Sequence, residues 1–154
     1  MSFFKKLFHP NRHKLVRLEC GGYAIECPVN TKDGGITSIK LLIDSGNIGS
    51  NVIKRSSLNK KKLLHYRMKN SDSREGIGGS VKSTQICAIE GYYTNRRCNF
   101  LSAFTILDDD AIPLEEIDGV LGLVEMVDCK IDLKRGYIDF ASPRRRVEAN
   151  MLGE

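Results

Sequence analysis

From Leu15 onward the apolar and polar positions of this chain fall into short strand-like runs broken by turn residues. Leu15-Val16-Arg17-Leu18-Glu19-Cys20 stops at Gly21-Gly22, Tyr23-Ala24-Ile25-Glu26-Cys27-Pro28-Val29 follows, and Asp33-Gly34-Gly35 is a strong turn signal. Ile39-Lys40-Leu41-Leu42-Ile43 reads as a buried strand running straight into Asp44-Ser45-Gly46, and Val52-Ile53 restarts an extended segment. Residues 56–64 form the best helix candidate in the first half: Ser56 or Ser57 can cap it, and Lys60-Lys61-Lys62 suits a solvated face. Residues 70–80 are polar and glycine-rich; strand-like runs resume at 81–93 and 99–107 and end at the polar loop Asp108-Asp109-Asp110. Gly119-Val120-Leu121-Gly122 is a short apolar run between glycines, with a short helix expected through residue 128, and residues 131–140 read as a closing hairpin around Lys134-Arg135-Gly136. Many short strands with frequent turns and one or two short helices predict an all-β, barrel-like fold.

Length and composition narrow this further. The 154 residues suit one domain, which takes about 100–200 residues, and such a chain buries a core without metals or disulfides. No internal repeat of solenoid length and no linker divides it. Of the net charge of +5, residues 1–14 contribute +4 and residues 143–154 contribute +1, which leaves 15–142 balanced. The organisation expected is a basic N-terminal arm at 1–14, a domain at 15–142 and a C-terminal tail at 143–154. A balanced domain with basic ends is not a nucleic-acid groove. Membrane-surface contact by the first eight residues is the lesser reading beside an arm that packs on the domain or its partner. Five cysteines, an odd number with no two-residue spacing, read as reduced thiols of a cytoplasmic protein; no secretory signal or membrane span is evident.

Chemistry concentrates in three segments. In Leu41-Leu42-Ile43-Asp44-Ser45-Gly46-Asn47 an ionisable Asp directly follows apolar strand residues, which is costly unless something uses or satisfies it. An ordinary Asx-type turn at a strand end is the plain alternative for the triplet alone. In Arg74-Glu75-Gly76-Ile77-Gly78-Gly79-Ser80-Val81-Lys82 a lone Ile stands between glycines within polar flanks, which suits a hairpin whose tip closes over something. Ile117-Asp118-Gly119-Val120-Leu121-Gly122 is an apolar strand followed by Gly.

In this order and spacing the three segments resemble the retropepsin-like aspartic proteases, over roughly residues 15–140. The resemblance equates Asp44-Ser45-Gly46 with the catalytic triplet and Gly76-Ile77-Gly78-Gly79 with the flap tip. It equates Val120-Leu121-Gly122 with the segment supporting the catalytic loop. It implies the family's acid-protease barrel and a peptide or protein substrate, with no cofactor and no metal. One triplet per chain implies a homodimer, since the family's site holds two Asp side chains; Asp118-Gly119 continues as Val120-Leu121 and is not a second triplet. Asn47 departs from the family's usual Ala or Ser, putting an amide where it can bond the catalytic carboxylate or crowd the substrate. A protease-like dimer that no longer cuts and serves as a binding or scaffold module is the alternative reading.

Other chemistries fit poorly. Residues 76–83 lack the Gly before Lys82 that a phosphate loop needs, and no dinucleotide fingerprint is complete. His9 and His13 flank Pro10 without a third spaced ligand, and a Ser-His-Asp site would have to recruit His65 with no nucleophile elbow near any Ser.

Overall fold

The computed structural model describes residues 12–47, 51–68, 73–76, 79–82, 85–91, 100–122 and 129–140, with the backbone alone at 73–76, 79–82, 100 and 101. Among these run twelve strands: β1 (Arg12–Arg17), β2 (Tyr23–Asn30), β3 (Ile36–Ile43), β4 (Asn51–Lys54), β5 (His65–Met68), β6 (Ser73–Gly76), β7 (Gly79–Lys82), β8 (Ile86–Gly91), β9 (Phe100–Leu107), β10 (Gly119–Leu121), β11 (Cys129–Asp132) and β12 (Tyr137–Phe140). One helix, α1 (Arg55–Lys60), and a 3-10 turn at Asp109–Ala111 complete the described elements. The molecule is therefore mostly β, as the alternation predicts. Residues 1–11, the tail at 143–154, the helix expected through 128, Cys98, Ile77 and Gly78 lie outside the described residues. No described helix is long and apolar enough to cross a membrane.

Six strands close into a barrel in the order β2-β3-β10-β4-β9-β8, with Val29 of β2 opposite Gly91 of β8 at the seam. β2 serves two neighbours on this side: Tyr23, Ala24 and Ile25 pair with β1, and Val29 pairs with β8. β1 thus carries a ribbon, β1-β12-β11, away from the barrel, while β5 adds to β8. The decisive placement is β10. It lies parallel to β3 and antiparallel to β4, so the two strands joined through residues 44–50 are not neighbours.

Two-residue periodicity fills the interior. Ile25, Cys27 and Val29 of β2, Ile39 and Leu41 of β3, Ile53 of β4 and Phe104 of β9 form one buried cluster with Leu63, Ile89 and Leu121. The opposite faces of β2 and β4 are covered too. Ala24 and Val52 pack with Leu18, Ile112 and Ile117, so the segment after β9 roofs that side of the barrel.

Four local features differ from the sequence reading. β1 begins at Arg12, so Arg12, His13 and Lys14, grouped with the arm on charge, pair with Asp139, Ile138 and Tyr137 of β12. The helix ends at Lys60, because Lys62 turns left-handed at φ 49° and Leu63 and Lys62 donate back to the Leu58 and Asn59 carbonyls. This is a Schellman-type stop built without glycine, and it frees Leu64 to donate to the Asn30 carbonyl. No α1 serine caps the helix; the Ser56 amide and hydroxyl donate to Asp109, the hydroxyl at 2.5 Å. Finally, Lys60 and Lys62 are exposed, but Lys61 turns inward to the Ser38 carbonyl and to Asp118, at 2.8 Å each.

Candidate active site

β3 delivers Asp44 as the first residue beyond its end. The Asp44 amide donates to the Leu121 carbonyl at 3.1 Å, which carries the β3–β10 contact one step past the Ile43–Leu121 pair. Asp44 Oδ1 accepts the Gly46 amide at 3.0 Å, and the Asn47 amide donates to the Asp44 carbonyl at 3.2 Å. The carboxylate is thus oriented by its own turn, the Asx geometry open to any strand end. Asp44 and Asn47 are half-buried, and Ser45 and Gly46 are exposed. Asp108, Asp118, Asp132 and Asp139 each pair with a Lys or Arg, whereas among the described residues no cation pairs with Asp44.

Gly46 matters through proximity and not through backbone twist. Its φ is not left-handed, and a Cβ there would stand 3.2 Å from Asp44 Oδ1, so a side chain would press on the carboxylate. Residues 120–122 lie beside the strand ends that flank this turn: Val120 and Leu121 pair with Leu42 and Ile43, and the buried Gly122 amide donates to Asn51 Oδ1 at 2.8 Å. Gly76 and Gly79 pair with each other at the end of the two-stranded β6–β7 hairpin. In chain order the hairpin falls between β5 and β8, and it forms a two-stranded sheet of its own. The structure therefore joins Asp44 to Leu121, at the end of the β3–β10 pairing, and puts Gly76 and Gly79 on a separate ribbon.

Two polar residues organise this region in roles the sequence did not assign to them, Asp118 having been weighed there only as a second triplet. Asn51 is one. The other is Asp118, whose Oδ2 accepts from the Lys40 amide and Lys61 Nζ and whose Oδ1 accepts from Ser57 Oγ, all at 2.8 Å. Its backbone takes part as well: the Asp118 amide donates to the Lys40 carbonyl and the Lys54 amide donates to the Asp118 carbonyl. Asp118 thereby ties β3, β4 and α1 to the entry of β10. An Asn at the start of a strand, where β-branched residues are favoured, was the available signal for Asn51; nothing local marks Asp118.

A shallow polar cleft of about 390 Å³ lies beside Asp118, between Glu26, Lys40, Lys61 and Glu116, and none of residues 44–47 lines it. Lys61 and Asp118 are already paired there. Among the described residues no group of three or more His, Cys, Asp or Glu side chains is placed to hold a metal. The sequence matches no protein-family model and no curated protein.

Proposed function

We propose that this chain is a retropepsin-like aspartic endopeptidase that works as a homodimer, each copy supplying Asp44 to one shared site. The observation that carries the reading is the end of β3. A carboxylate with no described cation beside it is held by the Gly46 amide, and its backbone rests on a strand from far along the chain. The β6–β7 hairpin, in which Gly76 pairs with Gly79, supports it as the candidate flap.

One chain supplies half of the chemistry. Two Asp44 carboxylates in contact across a two-fold axis cannot both ionise cheaply, so they share one proton. The ionised member takes a proton from a water, which attacks the scissile carbonyl; the protonated member polarises that carbonyl and then gives its proton to the leaving amine. Ser45, exposed next to Asp44, is the residue for bonding across the axis. Ile77, between the paired glycines, is the residue for covering the peptide.

Digestion of a peptide library by wild type and by Asp44→Asn tests this. The amide keeps the volume and removes the base, so cleavage falls by roughly 10²–10⁴-fold, while both proteins sediment as dimers at micromolar concentration. Wild-type cleavage by Asp44→Asn, or cleavage by a strict monomer, overturns the reading. A dimer that cuts nothing turns it toward the binding module, with Asn47 as the residue to replace first.

A further inference from the structure

Asn51 opens β4 on the same face as Ile53, toward the barrel interior, and is 2% exposed. A primary amide in that setting is costly unless it is hydrogen-bonded, and Val or Ile would serve the strand better. Its Oδ1 accepts the Gly122 amide at 2.8 Å. β10 ends at Leu121, so a side chain stands here where a ladder carbonyl would otherwise be.

The Gly122 N–H and the Leu121 carbonyl belong to a single peptide unit, and that unit is planar. Its N–H is held by Asn51, and its carbonyl accepts the Asp44 amide at 3.1 Å. The plane cannot tilt at one end without tilting at the other. Asn51 therefore fixes the orientation of the carbonyl on which the Asp44 backbone hangs, and the Gly46 amide completes the hold on the side chain.

We propose that Asn51 is a positioning residue for Asp44, acting through the Leu121–Gly122 peptide plane. Its kinetic consequence rests on the aspartic endopeptidase reading; its geometric part does not. Misplacing a reacting group by about 1 Å costs up to roughly 10²-fold in rate. Removing the Asn51 acceptor lowers kcat by about 10–100-fold per folded molecule and leaves KM within about twofold, because Asn51 is buried and does not reach substrate.

The test uses Asn51→Ala and Asn51→Asp in the full chain, with peptide kinetics corrected for folded fraction and amide hydrogen exchange by NMR. In Asn51→Ala the Gly122 and Asp44 amides exchange at least about tenfold faster while those of Ile53 and Phe104 hold, and kcat falls without KM. Asn51→Asp keeps an oxygen acceptor in place and stays protected at both amides. Unchanged kcat, a loss confined to KM, or wild-type protection at both amides in Asn51→Ala overturns the proposal. If Asn51→Ala does not fold, a folded Asn51→Asp that loses protection at Gly122 overturns it equally. Failure of the endopeptidase reading is visible separately, as Asp44→Asn cleaving like wild type, and the exchange data still decide whether Asn51 positions Asp44.

Discussion

Replacing Gly119 by Ala is the sharpest perturbation of the arrangement that holds Asp44. Gly119 sits opposite Ile53, and a Cβ built on it would stand 2.1 Å from the Val52 carbonyl oxygen and 3.1 Å from the Ile53 Cα. A carbon–oxygen contact is comfortable near 3.3 Å, so β10 and β4 must separate by about 1 Å. The Lys54 amide to Asp118 carbonyl bond, now 2.9 Å, does not survive such a shift. Overpacking costs about 1–3 kcal/mol and the lost bond about 1 kcal/mol more, giving about 2–4 kcal/mol in all. That is a large part of the roughly 5–15 kcal/mol by which domains are stable. Gly34→Ala is the control: its φ of 86° is left-handed but nothing lies within 4 Å, so only backbone strain of about 1–2 kcal/mol is added. Urea unfolding at neutral pH measures both, and a Gly119→Ala midpoint no lower than that of Gly34→Ala would falsify the close-approach argument.

Further outcomes follow from two buried side chains. Burial holds the His13 ring down to about 4 from its ordinary 6.5, against the opposing pull of the Glu26 backbone and Asp139. Protons then bind the unfolded chain preferentially between these values, so the stability His13 allows is whole above pH 6.5 and is lost as pH falls toward 4, about 3 kcal/mol in all. Thermal midpoints of wild type and His13→Gln should diverge across that window, and parallel curves would remove His13 as the cause. Burial likewise pushes the Cys87 thiol up to about 12, while Cys20 is exposed. A thiol reagent at pH 8 should label Cys20 in the native protein and spare Cys87 until unfolding, and equal rates would contradict the burial.

The strands were legible because two-residue alternation and turn residues are local signals, and Asp44 at a strand end was legible for the same reason. Charge misled at residues 12–14. Arg12 and Lys14 face outward while His13 and Leu15 are buried, so the alternation starts within what composition assigns to an arm. The helix stop was hidden because Lys62, not a glycine, takes the left-handed turn. Lys61 looked like one of three solvated lysines because its partners, Ser38 and Asp118, are remote in sequence. Asn51 and Asp118 are opaque for that reason as well: each gains its meaning from an amide or cation that only folding brings near. That Leu121 neighbours Asp44 is absent from their own hydropathy, and only the order of motifs suggested it.

The insertion of β10 between β3 and β4 also sets an order of events in time. Leu41 and Ile53 are synthesised long before Gly119, which must end up between them. Until it arrives, β3 and β4 face a gap with unpaired edges, the kind of surface that recruits other chains. Contacts so distant in sequence place the domain among slow, topology-limited folders. Asp44 meanwhile has no Leu121 carbonyl to hang from. A nascent or truncated chain thus carries the whole triplet in an unassembled state, and Asp44 gains its backbone partner only with β10, the last barrel strand in chain order.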